Sequence, residues 1–281
     1  MSRTRVAALC ALALCGFAAN SLLARRALGT TQAGAASFTA VRLISGAAVL
    51  WLLARRRPRA GTEAGWRSAL ALLFYAAPFS WAYLSVGAGV GALLLFGSVQ
   101  TTMFAAALAH GERPSALVWA GLIVALCGLA GLTLPGAHAP PAAPAAAMLL
   151  AGASWGWYSL RGRRARDALA ATADAFIRSA PIAAALWAAS AIAAPAAARL
   201  TGLGASLALA SGALASGLGY TLWNTVLPHL AASQAAVVQI VTPALTAAAA
   251  VALLDEPVTA RLLLGGCAIV GGVALAVLGK R

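Results

Sequence analysis

Gly217-Leu-Gly-Tyr-Thr-Leu-Trp-Asn224 opens the stretch whose reading decides the fold. It continues as an Ala/Val run holding Gln234, Gln239 and Pro243, and closes with Asp255-Glu256-Pro257 and a glycine-spaced apolar tail ending near Gly272. Two segments of membrane length, roughly 231–253 and 259–279, flank the short acidic-Pro turn. That turn offers an N-cap and a proline at the first helical position, so the second segment is expected to start as a capped helix. Gly265, Gly266, Gly271 and Gly272 leave it a smooth face for close helix packing. The stretch reads as a helical hairpin spanning a bilayer.

Composition extends that reading to the whole chain. Its 281 residues are 62% hydrophobic and 9% charged. A soluble domain carries about a quarter charged residues, so a soluble fold is excluded. At about 20 residues per spanning helix, the length has room for about ten spans. The net charge of +14 sits in short arginine clusters between apolar runs. Such clusters are topology signals, not a phosphate-binding face, and no nucleic acid is expected as a partner. Cys10, Cys15, Cys127 and Cys267 lie within apolar runs without metal-type pairing, and neither metal nor cofactor is expected.

Taken in order, the first apolar run, Val6 to Ala19, imitates a signal peptide but reads as a retained span ending near Ala24. Further spans are expected at about 35–53, 69–87, 90–108 and 115–134. An uncharged Pro/Ala/Gly stretch, 135–144, separates them from spans at about 145–160, 173–194 and 204–227 and from the closing hairpin. The halves match. Ser21-Leu-Leu-Ala-Arg-Arg-Ala27 recurs as Ser159-Leu-Arg-Gly-Arg-Arg-Ala165, at an offset of 138. Arg42, Leu50 and Trp51 recur as Arg178, Leu186 and Trp187, offset 136. Glu112, Gly121 and Gly128 recur as Glu256, Gly265 and Gly272, offset 144. The chain is therefore expected to hold two five-helix units, residues 1–134 and 145–281, joined by the linker 135–144.

With the N-terminus in the cytoplasm, 14 Lys and Arg fall on the inner side and 4 on the outer, while Arg42 and Arg178 lie within spans. The positive-inside rule then puts both termini in the cytoplasm. An odd number of helices per unit makes the two units enter the membrane in opposite directions. That is an inverted-topology repeat, which places a substrate site near the midplane between the halves. The scarcity of Lys beside abundant Arg, Ala and Gly fits a GC-rich bacterial genome and hence a bacterial inner membrane.

The Gly-Tyr-Thr-Leu-Trp-Asn segment, the Gln239-Ile-Val-Thr-Pro243 run and the Asp255-Glu-Pro turn resemble the EamA family of the drug/metabolite transporter superfamily. Trp81-Ala-Tyr-Leu-Ser-Val-Gly-Ala-Gly89 through Gly111-Glu-Arg-Pro114 is similar in the first half. The resemblance covers the chain as two tandem units. It implies ten transmembrane helices and transport, often export, of amino acids, metabolites or other small organic molecules. One departure is that Gln100-Thr-Thr102 stands where the family usually has a fourth-span proline, the counterpart of Pro243.

Substrate-pathway candidates follow from polarity inside apolar runs. Arg42 and Arg178 read either as a cationic pair for an anionic substrate, such as a carboxylate, or as side chains that snorkel to the headgroups. Asn20, Gln100, Asn224 and Gln239 read as interhelical hydrogen-bond glue or as cavity lining. Tyr220, Trp223 and Asn224 share one helix face, and Trp81 and Tyr83 join the pathway set. Trp155, Trp157 and Tyr158 sit near the Arg161 loop and read as an interfacial belt. Glu112 and Glu256 read as helix-start carboxylates. No acidic residue stands in the middle of a span, so a carboxylate proton relay is not legible. Function is thus expected to be secondary transport of a small molecule within a lipid bilayer, with a homodimer admitted as the assembly. The rivals are a lipid-carrier flippase, a channel, and an integral membrane enzyme. The enzyme would need a carboxylate, metal or nucleophile constellation that six scattered acidic residues and three lone histidines do not supply.

Overall fold

The computed structural model describes residues 1–56, 65–109, 115–133, 139–163, 165–230 and 232–278, and no strand occurs among them. The helices are α1 (Arg3–Thr30), α2 (Ala35–Ala54), α3 (Gly65–Ala82), α4 (Ala88–Ala109), α5 (Ala116–Thr133), α6 (Ala142–Gly162) and α7 (Ala168–Ala193). A short turn of helix, α8 (Pro195–Ala198), precedes a rod made of α9 (Gly202–Ala210), a π-helical stretch (Ser211–Leu218) and α10 (Gly219–Val226), closed by a 3-10 turn (Leu227–His229). α11 (Ala232–Leu254) and α12 (Ala260–Leu278) complete the chain. Among the described residues, five segments are long and apolar enough to cross a membrane: Arg3–Thr30, Ala35–Ala54, Ala88–Ala106, Ala168–Ala193 and Gly202–His229. Ala116–Gly128, Val241–Leu254 and Ala260–Gly272 are shorter apolar segments.

Local chemistry starts these helices where the sequence offers an oxygen. Asp167 accepts from the N–H groups of Leu169 and Ala170, and Thr201 accepts from Gly204. Each satisfies donors that a first helical turn leaves open. The Asp255-Glu256-Pro257 turn departs from expectation. Thr259, not the acidic pair, caps α12 through the Leu262 N–H. Asp255 instead ends α11 in the left-handed region (φ 52), a conformation short polar side chains tolerate. Glu256 reaches across the molecule: its carboxylate accepts from Ala88 N at 2.6 Å and Gly89 N at 3.2 Å. It thus caps α4, whose own N-terminal sequence has no acceptor side chain. Glu112, Arg57, Arg59, Arg113, Arg164, Lys280 and Arg281 lie outside the described residues.

The helices pack α2 on α7, α3 and α4 on α6, α5 on α12, α4 on α11, and α1 along the α9–π–α10 rod and α11. Glycines set the closest approaches. A Cβ at Gly128 would lie 2.7 Å from Ala268 Cβ and 2.9 Å from Gly265 O; one at Gly272 would lie 2.5 Å from Gly121 O. Without side chains there, α5 and α12 approach backbone to backbone. Gly271 faces open space and takes no part in that contact. The polarity of the molecule is inside out. Ile192 is 87% exposed and Leu264 73%, whereas Arg42, Asn20, Ser211 and Ser216 are buried. An apolar exterior around a polar interior suits lipid as solvent.

Candidate substrate site around Arg42

Arg42, in the first half of α2, is fully buried within the protein, where the snorkelling reading would have an exposed end. Nε donates to Ser216 Oγ at 2.9 Å, and Nη2 donates to the hydroxyls of Tyr220 at 2.6 Å and Tyr75 at 3.0 Å. The guanidinium also lies 5.1 Å and 4.9 Å from the ring centroids of Tyr75 and Phe79, within range of cation–π attraction. Nη1 is buried without a hydrogen-bond partner. Among the described residues no carboxylate pairs with this cation.

The π stretch explains how one face of the rod can serve Arg42 and Asn20 together. A π-helix bonds i to i+5, so Ser211 and Ser216, five residues apart, fall on the same side. Ser211 Oγ donates to Asn20 Oδ1 at 2.5 Å and Ser216 Oγ to the same oxygen at 3.4 Å. Asn20 Nδ2 in turn donates to Tyr75 OH at 3.0 Å. Gly212 lets the rod touch α2, since a Cβ there would strike Arg42 O and Ser45 Oγ. Asn20 therefore joins α1, α3 and the rod, and Arg42 joins α2, α3 and the rod.

Aromatic rings enclose the polar centre. Tyr220 lies 4.4 Å from Trp155 and 5.8 Å from Phe17, centroid to centroid, and Phe17 is 5.7 Å from Trp223. Trp155 Nε1 donates to Gln239 Oε1 at 3.3 Å, bringing α11 into the cluster. Tyr158 stacks on Trp155 at 5.3 Å. Of the α6 aromatics expected to form a belt, only Trp157 is exposed; Trp155 and Tyr158 are buried in the cluster instead. Three residues apart, those two share a helix face that Trp157 does not.

The remaining candidates distribute as follows. Tyr83 is buried edge-on to Phe79 at 4.7 Å. Trp223 and Asn224 are buried beside Tyr220, and Asn224 Nδ2 donates to Thr172 Oγ1 at 2.9 Å. Gln100 is buried on α4, and Trp81 turns outward at 45% exposure. Arg178 does not join Arg42. It pairs with Asp174 at 2.8 Å one turn away, lies over the Trp66 ring, and keeps a 37% exposed side chain. Sequence reasoning did not single out Tyr75, Phe79, Phe17, Ser211 or Ser216. The available signal was the shortage of mid-span carboxylates, which obliges a buried arginine to find hydroxyls and rings.

An opening and a clasp frame the cluster. A narrow pocket, open at its mouth, is lined by Ser68, Tyr158, Arg161, Gly162, Ala165, Ala171 and Asn224. Tyr158 and Trp155 stand between it and Tyr220. The opposite end is clasped: Arg25 Nε lies 3.5 Å from Glu256 Oε1, and Arg25 Nη1 donates to Tyr83 O and Leu84 O. With the Glu256 bonds to α4, this ties α1, α3, α4 and the α11–α12 turn together.

Such a fold, lipid-facing outside and polar within, defines a multi-pass membrane protein. The EamA-like transporter family matches over residues 143–278. The chain belongs to that family, within the drug/metabolite transporter superfamily, and the family implies a small-molecule substrate and a lipid surround. It is 48% identical over 277 residues to "Uncharacterized protein PA1977" of Pseudomonas aeruginosa, covering 98% of this chain and 95% of that one. A solved structure, described only as "Crystal structure of protein", superposes with a TM-score of 0.69 at 19% identity, over 100% of this chain and 99% of its own. At that identity the likeness speaks for the fold alone.

Proposed function

We propose that this chain is a secondary transporter, an exporter of small organic metabolites such as amino acids or related compounds. It acts across the bacterial inner membrane by alternating access, with both termini cytoplasmic. Its ten spans form two inverted five-helix units, 1–134 and 145–281, with the Arg42 cluster as the substrate site between them. The observation that carries this is the symmetry of packing. Exchanging α1 with α6, α2 with α7, α3 with the α9–π–α10 rod, α4 with α11 and α5 with α12 carries the main contacts onto one another. The α3–α6 contact becomes that of the rod with α1, α4–α6 becomes α11–α1, and α2–α7, α4–α11 and α5–α12 map onto themselves. The glycines repeated at offset 144 meet reciprocally, Gly128 against Gly265 and Gly272 against Gly121, as residues about a two-fold axis must. The family match over 143–278, about one unit, and a relative in a bacterium support the same reading.

Alternating access needs a site that both halves build and ends that open in turn. Here α1, α2 and α3 from one half, and α6, the rod and α11 from the other, meet at Arg42, Tyr220 and Trp155. The test is counterflow of a radiolabelled metabolite panel in proteoliposomes. Saturable flux stimulated by substrate on the far side is expected; flux that rises linearly without saturation would indicate a channel and end this reading.

A further inference from the structure

Resting on that transporter reading, and narrowing its substrates from amino acids and related compounds to the related acids alone, we infer that Arg42 binds the single carboxylate of an organic acid that carries an apolar or aromatic body and no amino group. Three features of the cluster set these terms. First, Arg42 is a fully buried cation with a free donor, Nη1, and no carboxylate partner among the described residues. A buried guanidinium held only by hydroxyls keeps an uncompensated charge, and one anionic oxygen at Nη1 would supply both the missing hydrogen bond and the missing charge.

Second, the anion is singly charged and lacks an ammonium. Of the other described arginines at the cluster's ends, Arg25 pairs with Glu256 and Arg178 with Asp174, while Arg161 stays at the pocket mouth, donating to Ser68. A dianion at Arg42 would leave one negative charge without a counter-charge in a low-dielectric interior. The described acidic residues are likewise committed or peripheral. Asp167 caps α7, Asp174 holds Arg178, Glu256 holds Arg25 and α4, and Asp255 ends α11. The α-ammonium of an amino acid would meet only rings and hydroxyls there.

Third, the walls are flat and apolar. Phe17, Phe79, Trp155 and Trp223 surround the polar centre. These surfaces hold a ring or a short hydrocarbon by area and quadrupole contact, and present it no further charge. Entry runs from the open pocket. The path passes Arg161, which attracts an anion to the mouth, and then the Tyr158–Trp155 stack that closes over Tyr220.

The experiment uses one body with four head groups: 3-phenylpropionate, 3-phenylpropionamide, 3-phenylpropylamine and phenylalanine. Butyrate and indole-3-acetate vary the body. Binding is followed on detergent-purified full-length protein by thermal midpoint and by tryptophan fluorescence, which Trp155 and Trp223 report directly. A saturable rise in midpoint is expected with the carboxylates. The amide and the amine should give none, and phenylalanine should bind at least about tenfold more weakly, as a charge left unpaired on burial requires. Arg42→Lys should weaken carboxylate binding about tenfold, because a point charge replaces a planar fork. Arg42→Gln should abolish it, and Arg178→Gln should match the natural protein. Preference for the amine or for phenylalanine, an equal response to all head groups, no response to any carboxylate, or undiminished binding by Arg42→Gln each overturns the inference. Should Arg42→Gln fail to fold, the head-group series and Arg42→Lys carry the test. Counterflow with the same compounds separates the two claims. Saturable flux of an amine or an amino acid, or of another metabolite when none of these acids is carried, removes the carboxylate assignment and leaves the transporter standing, whereas linear, unsaturable flux removes the transporter.

Discussion

The Arg42 guanidinium is held by hydroxyl groups, and that sets what each neighbour contributes. Tyr220 OH accepts from Nη2 at 2.6 Å and donates to Tyr75 OH at 2.9 Å, so it serves the cation and its partner at once. Tyr220→Phe leaves a buried donor unsatisfied, at an expected cost of roughly 1–3 kcal/mol. The measurement is the denaturation midpoint of the purified protein. Arg178→Gln breaks a pair that is substantially exposed, and its expected cost is about 1 kcal/mol or less. Equal losses from the two variants would contradict this account of the cluster. At this scale the sequence told half the story. Arg42, Asn20, Tyr220 and Gln239 stand out as polar groups in apolar runs, and the structure brings them together. Arg178 stands out equally, but Asp174 four residues earlier gives it a local partner, a pairing that helical spacing alone could have flagged. Tyr75 and Phe79 were hidden, because aromatic residues at a four-residue spacing in an apolar helix look the same whether they line lipid or a site.

Between residues and the whole molecule stands the π stretch, Ser211–Leu218. Its wider turn aligns Ser211 with Ser216 and keeps Tyr220 beside them, which a regular α-helix would not do. Sequence pattern does not announce it. Ser211-Gly212 and Ser216-Gly217 mark a place where a helix deforms easily, yet the same pairs read as ordinary small-residue packing. The extent of most helices was legible, because apolar runs and caps bound them. The role of Asp255-Glu256-Pro257 was not, because Glu256 acts on α4, 168 residues away in sequence. Gly212→Ala places a methyl against Arg42 O and Ser45 Oγ, and overpacking of that kind costs about 1–3 kcal/mol. Gly271→Ala, with nothing within 4 Å, should be neutral or stabilising by up to about 1 kcal/mol through helix propensity. Melting curves of the two variants check it; similar curves would mean that the α2–rod approach is looser than described.

The molecule as a whole joins a buried site, an open pocket on one side and a clasp on the other. The proposed repeat rests on sequence offsets of 136 to 144 and the proposed orientation on charge balance, signals that need no coordinates. Which helices meet across the halves was not legible, because small residues match many neighbours equally well. The clasp should hold the side bearing Arg25 closed. Glu256→Gln removes the ion pair and weakens the α4 cap, and is expected to raise reagent access to the cluster from that side. The most direct test places a cysteine at Ser216, beside Arg42, after Cys10, Cys15, Cys127 and Cys267 have been replaced. Gly89→Cys and Ala247→Cys are added as a lock, because a Cβ at Gly89 lies 3.4 Å from Ala247 Cβ, close to disulfide spacing. A small anionic, membrane-impermeant thiol reagent is then applied to right-side-out and inside-out vesicles. With the lock reduced, labelling of Ser216→Cys is expected from both sides. With the lock oxidised, labelling should persist from the cytoplasmic side and vanish from the outer side, and reductant should restore it. Labelling from neither side, or outer labelling untouched by oxidation, would contradict alternating access to the Arg42 site.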